Sequence, residues 1–414
     1  MRIAIIGTGI SGLTAAYLLN RKHDITVFEK NDYVGGHTHT HTIKNGSNQI
    51  AVDSGFIVYN EITYPNFIKL LDILDVKRQP TSMGFSVKSI NRNLEYAGNS
   101  ISSLFAQKLN YFRLSFWRML FDIIRFNKNA RLDLDKIQPE VTLGDYLSSN
   151  NYSKAFINDY IIPMGSAIWS TQADAMFRMS ALFFIRFFNN HGLLQIKNRS
   201  GWWVIKGGSK EYVKKMIIDF KSKIRLNTGV HSITRSQDKI TIKTESGVEE
   251  IFDAVVISTH SDQALNMLND PSVEEKEILR ALQYQSNDAI LHTDSTVLPK
   301  RKTAWASWNY NLDQKTNYPV TMTYNMNILQ SLNTSEIYCV TLNNNEIIEK
   351  PKILKELQYQ HPLFTVEGIN AQKRKNEISG KNNTYYCGAY WRNGFHEDGV
   401  VSALEVCSHF GLSL

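Results

Sequence analysis

Ile3-Ala4-Ile5-Ile6, followed at once by Gly7-Thr8-Gly9-Ile10-Ser11-Gly12, is the stretch whose reading decides the fold. The first four residues form a short unbroken apolar run, the pattern of a parallel strand buried on both faces. A helical pattern follows through Leu13, Ala16, Tyr17 and Leu18, and Asp24–Phe28 reads as a second strand ending on Glu29, with Lys30 next to it. A strand, a helix and a strand within about 30 residues are the opening of a dinucleotide-binding unit. Gly7 permits the tight turn, Gly9 lets phosphate approach the backbone, and Gly12 allows the helix to pack closely on the strand. Ile10 and Ser11 lie at the start of the helix, where the dipole favours a pyrophosphate. At its strand end, the Glu29 carboxylate can accept hydrogen bonds from both hydroxyls of a ribose.

The composition narrows what surrounds this opening. A length of 414 residues favours two domains, and 43% apolar with 21% charged residues is ordinary globular usage, so collagen, coiled coil and disorder are excluded. Cys339, Cys387 and Cys407 are far apart and form no CxxC pair. That speaks against a disulfide scaffold or a cysteine zinc site and fits a reducing compartment. The excess of 46 Lys+Arg over 39 Asp+Glu, a net charge of +7, favours anionic partners. With no nucleic-acid module signature, membrane phosphate or an acidic cofactor is the economical reading. No window reaches the roughly 18 apolar residues of a membrane span, and the glycines of the opening are unlike a signal peptide. The expected location is cytoplasmic, with peripheral contact on the cytoplasmic face of a membrane.

Further along, Pro65 to Leu74 and Ala173 to Asn189 show helical spacing. Between Ser100 and Asn129 a long helical stretch carries Lys108, Arg113, Arg118, Arg125 and Lys128 against Asp122, together with seven aromatic residues. After Trp202-Trp203 the chain returns to α/β character, with a buried strand at Ala254-Val255-Val256-Ile257. From about residue 285 it becomes strand-like, with Val320–Asn325 among the strands, and a helix from Gly399 closes it. This alternation divides the chain into a dinucleotide-binding domain (1–78, 201–284 and 376–414) interrupted by a substrate domain, with a helical part at 79–200 and a sheet part at 285–375.

Gly35-Gly36-His37, then Val52-Asp53-Ser54-Gly55, Lys206-Gly207-Gly208-Ser209 and the stretch from Gly388 to Gly399 extend the pattern. With these blocks the sequence resembles the flavin-containing amine oxidase and phytoene desaturase superfamily. The resemblance implies an α/β fold: an FAD/NAD(P)-binding Rossmann-like domain of the glutathione-reductase type with an interleaved, amine-oxidase-like α+β substrate domain. Gly35–Thr40, Asp53–Asn60, Ala304–Tyr310 and Cys387–Trp391 further resemble a subgroup of predicted FAD-binding proteins. That subgroup is similar to the flavoprotein region of plant cyclopropane fatty acid synthases and to acyl-chain desaturases of furan fatty acid formation. The resemblance implies noncovalent FAD with Gly7, Gly9, Ile10, Ser11 and Gly12 at the pyrophosphate, Glu29 and Lys30 at the ribose, and Val230 at the adenine. Gly35, Gly36, His37, Asp53 and Gly55 would line the diphosphate side, and Asp398, Gly399 and Val400 the pyrimidine end of the flavin.

Other residues carry sharper expectations. His37, His39 and His41 alternate and would share one face of a strand, but no cysteine or acidic cluster accompanies them, and no metal is assigned. Trp305, Trp308, Tyr310, Tyr390 and Trp391 could line a substrate channel, with Trp305 and Trp391 taken as site residues, and His396 or Glu397 could accept a proton. The lysine that amine oxidases place on the strand after the FAD domain has no counterpart in Gln285–Leu291. The expected reaction is hydride removal from a C–H bond, with a methyl-branched acyl chain of a membrane phospholipid as substrate. The alternatives are an amine oxidase acting on a small amine and a non-redox flavoprotein partnering an acyl-chain methyltransferase.

Overall fold

In the computed structural model, which describes residues 1–195, 201–236, 239–313 and 321–414, the opening strand lies in the middle of a five-stranded parallel sheet. The order is Ile224–Arg225, Asp24–Phe28, Arg2–Ile6, Ala254–Ile257, Thr384–Tyr386. Ile5 stands between Val27 and Val256. Alternate residues of this strand serve opposite cores. Ile3 and Ile5 pack with Leu13 and Ala16 of the first helix, Ile10–Leu19, and with Val400 and Ala403 of the last, His396–Ser408. Ala4 and Ile6 pack with Ile233, Ile240 and Phe252 from an antiparallel sheet of Val230–Ser236, Lys239–Thr244 and Glu249–Phe252. Burial on both faces is why the strand reads as an uninterrupted apolar run.

A second body is built on a seven-stranded sheet in the order Ile353–Pro362, Tyr284–His292, Cys339–Leu342, Met322–Asn325, Trp308–Asn311, Phe85–Ser89, Leu94–Ala97. The helices between residues 101 and 190 cover it through a core that includes Phe116, Phe126, Phe156 and Phe184. Its strands therefore come from both insertions. The segment 79–200, expected to be the helical part, also contributes Phe85–Ser89 and Leu94–Ala97, and Trp308–Asn311 pairs in parallel with the first of these. The expected break at 200 falls outside the described residues, as does the start of the strand expected from Val320.

Helix boundaries differ where caps intervene. The helix expected over Ala173–Asn189 is two, Ala173–Arg178 and Ala181–Asn190, because Met179 is extended (ψ 146°) and Ser180 caps the second by accepting from Phe183 N–H. The basic aromatic stretch breaks into Ile101–Leu104, a 3₁₀ turn Lys108–Phe112 and the long helix Leu114–Asp133, with Arg113 extended between the last two. The closing helix begins at His396 instead of Gly399.

Candidate functional site

Two helix N-termini converge on the glycine loop. The first helix follows Gly9 with no side-chain cap and no acid in its first turn, so its leading amides keep their capacity for an anion. A Cβ on Gly9 would meet nothing within 4 Å, whereas one on Gly12 would overlap the Gly7 carbonyl oxygen and Ser258 Oγ. The loop thus has an open cradle at Gly9 and tight packing at Gly12. Gly35 and Gly36, both at positive φ (134° and 59°), lay the second glycine pair over the first, and a Cβ on Gly36 would come 3.0 Å from Gly9 Cα. Gly55 packs on the carbonyl of His37, which also accepts from Phe56 N–H at 2.7 Å. The last helix closes the same corner: a Cβ on Gly399 would stand 2.7 Å from Ile10 Cγ2 and 2.9 Å from Ser11 Oγ, with Val400 buried beneath.

Glu29 ends its strand inside this corner. Its Oε2 accepts from the N–H (3.0 Å) and the hydroxyl of Thr8, and its Oε1 accepts from Asn31 N–H and Nδ2, each at 2.9 Å. Four donors fill the lone pairs of a carboxylate. The two side-chain donors, Thr8 Oγ1 and Asn31 Nδ2, are those a ribose diol would displace. The Glu29 carbonyl accepts from Thr228 N–H at 2.8 Å, which sets Val230 at the start of the neighbouring strand. Lys30 points outward, 3.8 Å from Glu245.

Several expected site residues have structural duties instead. Asp53 is buried, and its carboxylate accepts from Thr40 Oγ1, from Ser209 N–H (3.0 Å) and Oγ (2.8 Å), and from Gln330 Nε2 (2.8 Å). It ties three chain segments together, and burial raises its pKa to about 6. Glu397 accepts from Asn66 N–H and Nδ2 (3.1 and 2.7 Å) and from Phe67 N–H (2.8 Å), so it caps the helix Pro65–Ile73 and is not a free proton acceptor. His396 is stacked on Phe56 (3.5 Å), its Nε2 lying 3.1 Å from Thr38 Oγ1 and 3.0 Å from Tyr212 OH. Burial first, and His37 second, hold its pKa well below the usual range, which makes it a weak base at neutral pH. Asp398 accepts from Phe395 N–H at 2.9 Å, and burial lifts its pKa to about 6.

The two tryptophans lie elsewhere. Trp391 belongs to the core on the face of the parallel sheet away from the first helix, under the ammonium of Lys375. Trp305 donates its indole N–H to Pro299 O beside the edge strand Leu94–Ala97. Six strand spacings, about 29 Å at ~4.8 Å each, separate that edge from Ile353–Pro362, the edge that faces the glycine corner.

What faces the corner from that edge was hidden in the sequence. His37, whose Nε2 is buried without a partner, has its ring 5.0 Å from Tyr359, 5.6 Å from His361 and 6.3 Å from His260. Burial, reinforced by His361 and His260, lowers its pKa to about 3, and His361, which accepts from Asn287 Nδ2 at 2.8 Å, falls to about 4. The three neutral rings line a common wall. His39 and His41 pack on each other, His39 also on Tyr33, and both reach the Tyr359 hydroxyl, His39 directly (3.3 Å) and His41 through Ser54. Among the described residues no group of three or more His, Cys, Asp or Glu side chains is arranged to hold a metal. Next to the last helix, Phe395 stacks on Phe187 (5.1 Å), which lies 4.7 Å from Trp169 and 3.8 Å from His191, while Phe364 stacks on Phe183 (5.0 Å). A cavity of about 150 Å³ opens beside this box, lined by Trp169, Thr171, Met179, Pro362 and Phe364. Arg178 is the one charged side chain of its lining among the described residues. The only sequence signal for this wall was the aromatic richness of 105–190, which reads equally well as core.

The model of a family described as flavin-containing amine oxidoreductase matches residues 10–334, which carry Gly12, Glu29, the second glycine pair Gly35-Gly36, the insertion helices and most of the second sheet. The chain belongs to this family. Flavin binding and oxidoreductase chemistry are what the description of that family names. The L-amino-acid oxidase of Siganus canaliculatus is 22% identical over 327 residues, 71% of this chain and 57% of that protein. The chain therefore spans little more than half the length of this curated relative. Among solved structures, cyclohexylamine oxidase from Brevibacterium oxydans IH-35A superposes with a TM-score of 0.70 at 13% identity, covering 99% of each chain. The CLA-producing fatty acid isomerase from P. acnes does so with a TM-score of 0.68 at 15% identity, covering 99% of this chain and 98% of the other. Those likenesses show the fold alone. The residues present fit the cofactor: Gly9 is open, the amides after it are uncapped, an acid stands at the strand end and His37 Nε2 is buried without a partner.

Proposed function

We propose that the chain dehydrogenates a long acyl chain to an alkene, one carbon losing a hydride to the flavin and its neighbour a proton to bulk water, with a methyl-branched phospholipid acyl group as the preferred substrate. FAD, when bound, supplies the two-electron acceptor. The amides after Gly9 would hold its pyrophosphate and the Glu29 carboxylate its ribose. The last helix would present its N-terminus, through Gly399 and Val400, to the pyrimidine end, where a helix dipole stabilises negative charge. Trp169, Phe187, Phe364 and Phe395 would hold the reacting carbons and exclude water. Cys387 and Cys407 are buried thiols pushed up to about 12, poor nucleophiles for covalent attachment, which supports noncovalent binding.

The lining of the cavity next to Phe395 carries the choice of substrate. A protonated amine calls for a carboxylate, and the charged group in the lining is a guanidinium. Apolar walls with one cation at the rim suit an acyl chain with an anionic head. The test is anaerobic mixing of flavin-loaded protein with branched-acyl phospholipid and, separately, with small amines. Bleaching of the flavin band by the lipid supports the reading; bleaching by amines alone refutes it. Lipid conversion without net bleaching would assign a non-redox rearrangement instead.

A further inference from the structure

The long helix Leu114–Asp133 is apolar on two sides. One side, through Phe116, Met119, Phe126 and Ala130, packs into the substrate-domain core. The other is in water, yet it carries Leu114, Trp117, Phe121 and Ile124 at the spacing of a single helical stripe, ending on Lys128. Just before it, the 3₁₀ turn Lys108–Phe112 and the short helix Ile101–Leu104 add to the same surface. Leu114 is 86% exposed, Phe112 85%, Ile101 77% and Ile124 59%. Folding gives no reason for such a stripe to face solvent, and contiguous exposed apolar surface of this kind marks a place of contact.

The charges say what it contacts. Residues 101–132 hold six cations and one acid, Asp122. Asp122 is buried and already paired with Arg118 (3.5 Å) and Arg125 (2.9 Å). Lys108, Arg113, Lys128 and Arg131 have no carboxylate partner among the described residues. A second copy of the chain seated on this face would set these cations against their own duplicates. Aromatic and aliphatic side chains among unmatched Lys and Arg fit the boundary of an anionic bilayer, where rings sit at headgroup depth and cations meet phosphate.

We infer that the surface formed by Ile101–Leu104, Lys108–Phe112 and the Leu114–Ile124 stripe docks the protein on an anionic phospholipid membrane. The inference deepens the lipid reading above, because the long helix packs on Ala181–Asn190, which bears the phenylalanines of the box beside the last helix. Its observations are nevertheless separate from those of the reaction.

The experiment is vesicle flotation of the full chain loaded with FAD, using phosphatidylcholine alone and phosphatidylcholine mixed with phosphatidylglycerol. The protein should float with the mixed vesicles, and salt should weaken the binding. A Phe112→Ser/Leu114→Ser/Ile124→Ser variant and a separate Lys108→Glu/Lys128→Glu variant should each lose about tenfold or more in partitioning. Unchanged flavin content and thermal midpoint show that each still folds; should the triple variant not fold, the charge-reversed one decides. Failure of the unaltered protein to float overturns the inference. So does undiminished flotation of the variants, or a concentration-dependent dimer that the triple variant abolishes. Flotation is read without turnover, so protein that floats but is not reduced by acyl chains refutes the reaction and leaves this surface standing.

Discussion

Alanine at Gly9 and alanine at Gly12 should separate cofactor binding from folding within one loop. Gly9 has φ −63° and ψ 174°, backbone that alanine adopts freely, and its Cβ would point into empty space. Gly9→Ala should therefore leave the stability of the apoprotein unchanged or raise it by up to about 1 kcal/mol, through lost freedom of the unfolded chain. The added methyl occupies the cradle the pyrophosphate needs. Losing two charge-assisted hydrogen bonds there costs about 3 kcal/mol or more, roughly a hundredfold in FAD affinity. Gly12→Ala drives its methyl into the Gly7 carbonyl and Ser258 Oγ, so the helix must move off the strand, at about 1–3 kcal/mol in stability. Denaturant titration of the apoproteins gives the first quantity and quenching of flavin fluorescence on titration gives the second. If Gly9→Ala binds FAD as tightly as the original chain, the diphosphate does not sit at this loop and the site assignment falls.

Glu397→Ala should lower unfolding free energy by about 2–4 kcal/mol, because one buried donor at Phe67 and two half-buried donors at Asn66 lose their acceptor; a loss below about 1 kcal/mol would return Glu397 to the pool of candidate proton acceptors. Acid should destabilise the protein. His37 titrates near 3, and His41, His191, His292 and His361 near 4, so below 6.5 the unfolded chain takes up protons first. Asp53 and Asp398, raised to about 6, act in the opposite direction between about 6 and 4. These five imidazoles and two carboxyls together contribute a loss of about 4 kcal/mol from pH 6 to pH 5, to which His396, His260 and His39, also lowered by burial, add in the same direction; denaturant unfolding at each pH measures it, and constant stability across that interval would contradict the burial of these rings. Arg178→Glu should raise the half-saturating concentration of anionic lipid about five- to tenfold with little change in the limiting rate of flavin reduction. An equal response with a neutral lipid would remove Arg178 from substrate recognition.

The part of the site that depends on backbone was legible. Gly7, Gly9, Gly12, Gly35 and Gly36 converge because each is required by a turn or a close approach within a short span of chain, and local sequence records such requirements. Side-chain roles were less so. Glu397 and Asp53 look like site acids in sequence, yet each satisfies donors from distant segments, Asn66 and Phe67 in one case, Ser209 and Gln330 in the other. The alternating histidines invited a shared face. But the strand begins only at Thr40, so His37 is free to turn toward His260 and His361, partners more than two hundred residues away.

By itself, then, the order of residues determined the nucleotide-binding half, since an apolar strand, a glycine turn and a helix interact over a few tens of positions and leave their spacing in the chain. Sheet order and packing decided the rest. Only they carry Trp305 to the far edge of seven strands, bring Phe395 against Phe187 and Trp169, and leave the Leu114–Ile124 stripe in water. An aromatic side chain is chemically the same in a core, in a substrate wall or on an exposed surface, and which of these it becomes depends on the neighbours that tertiary structure supplies.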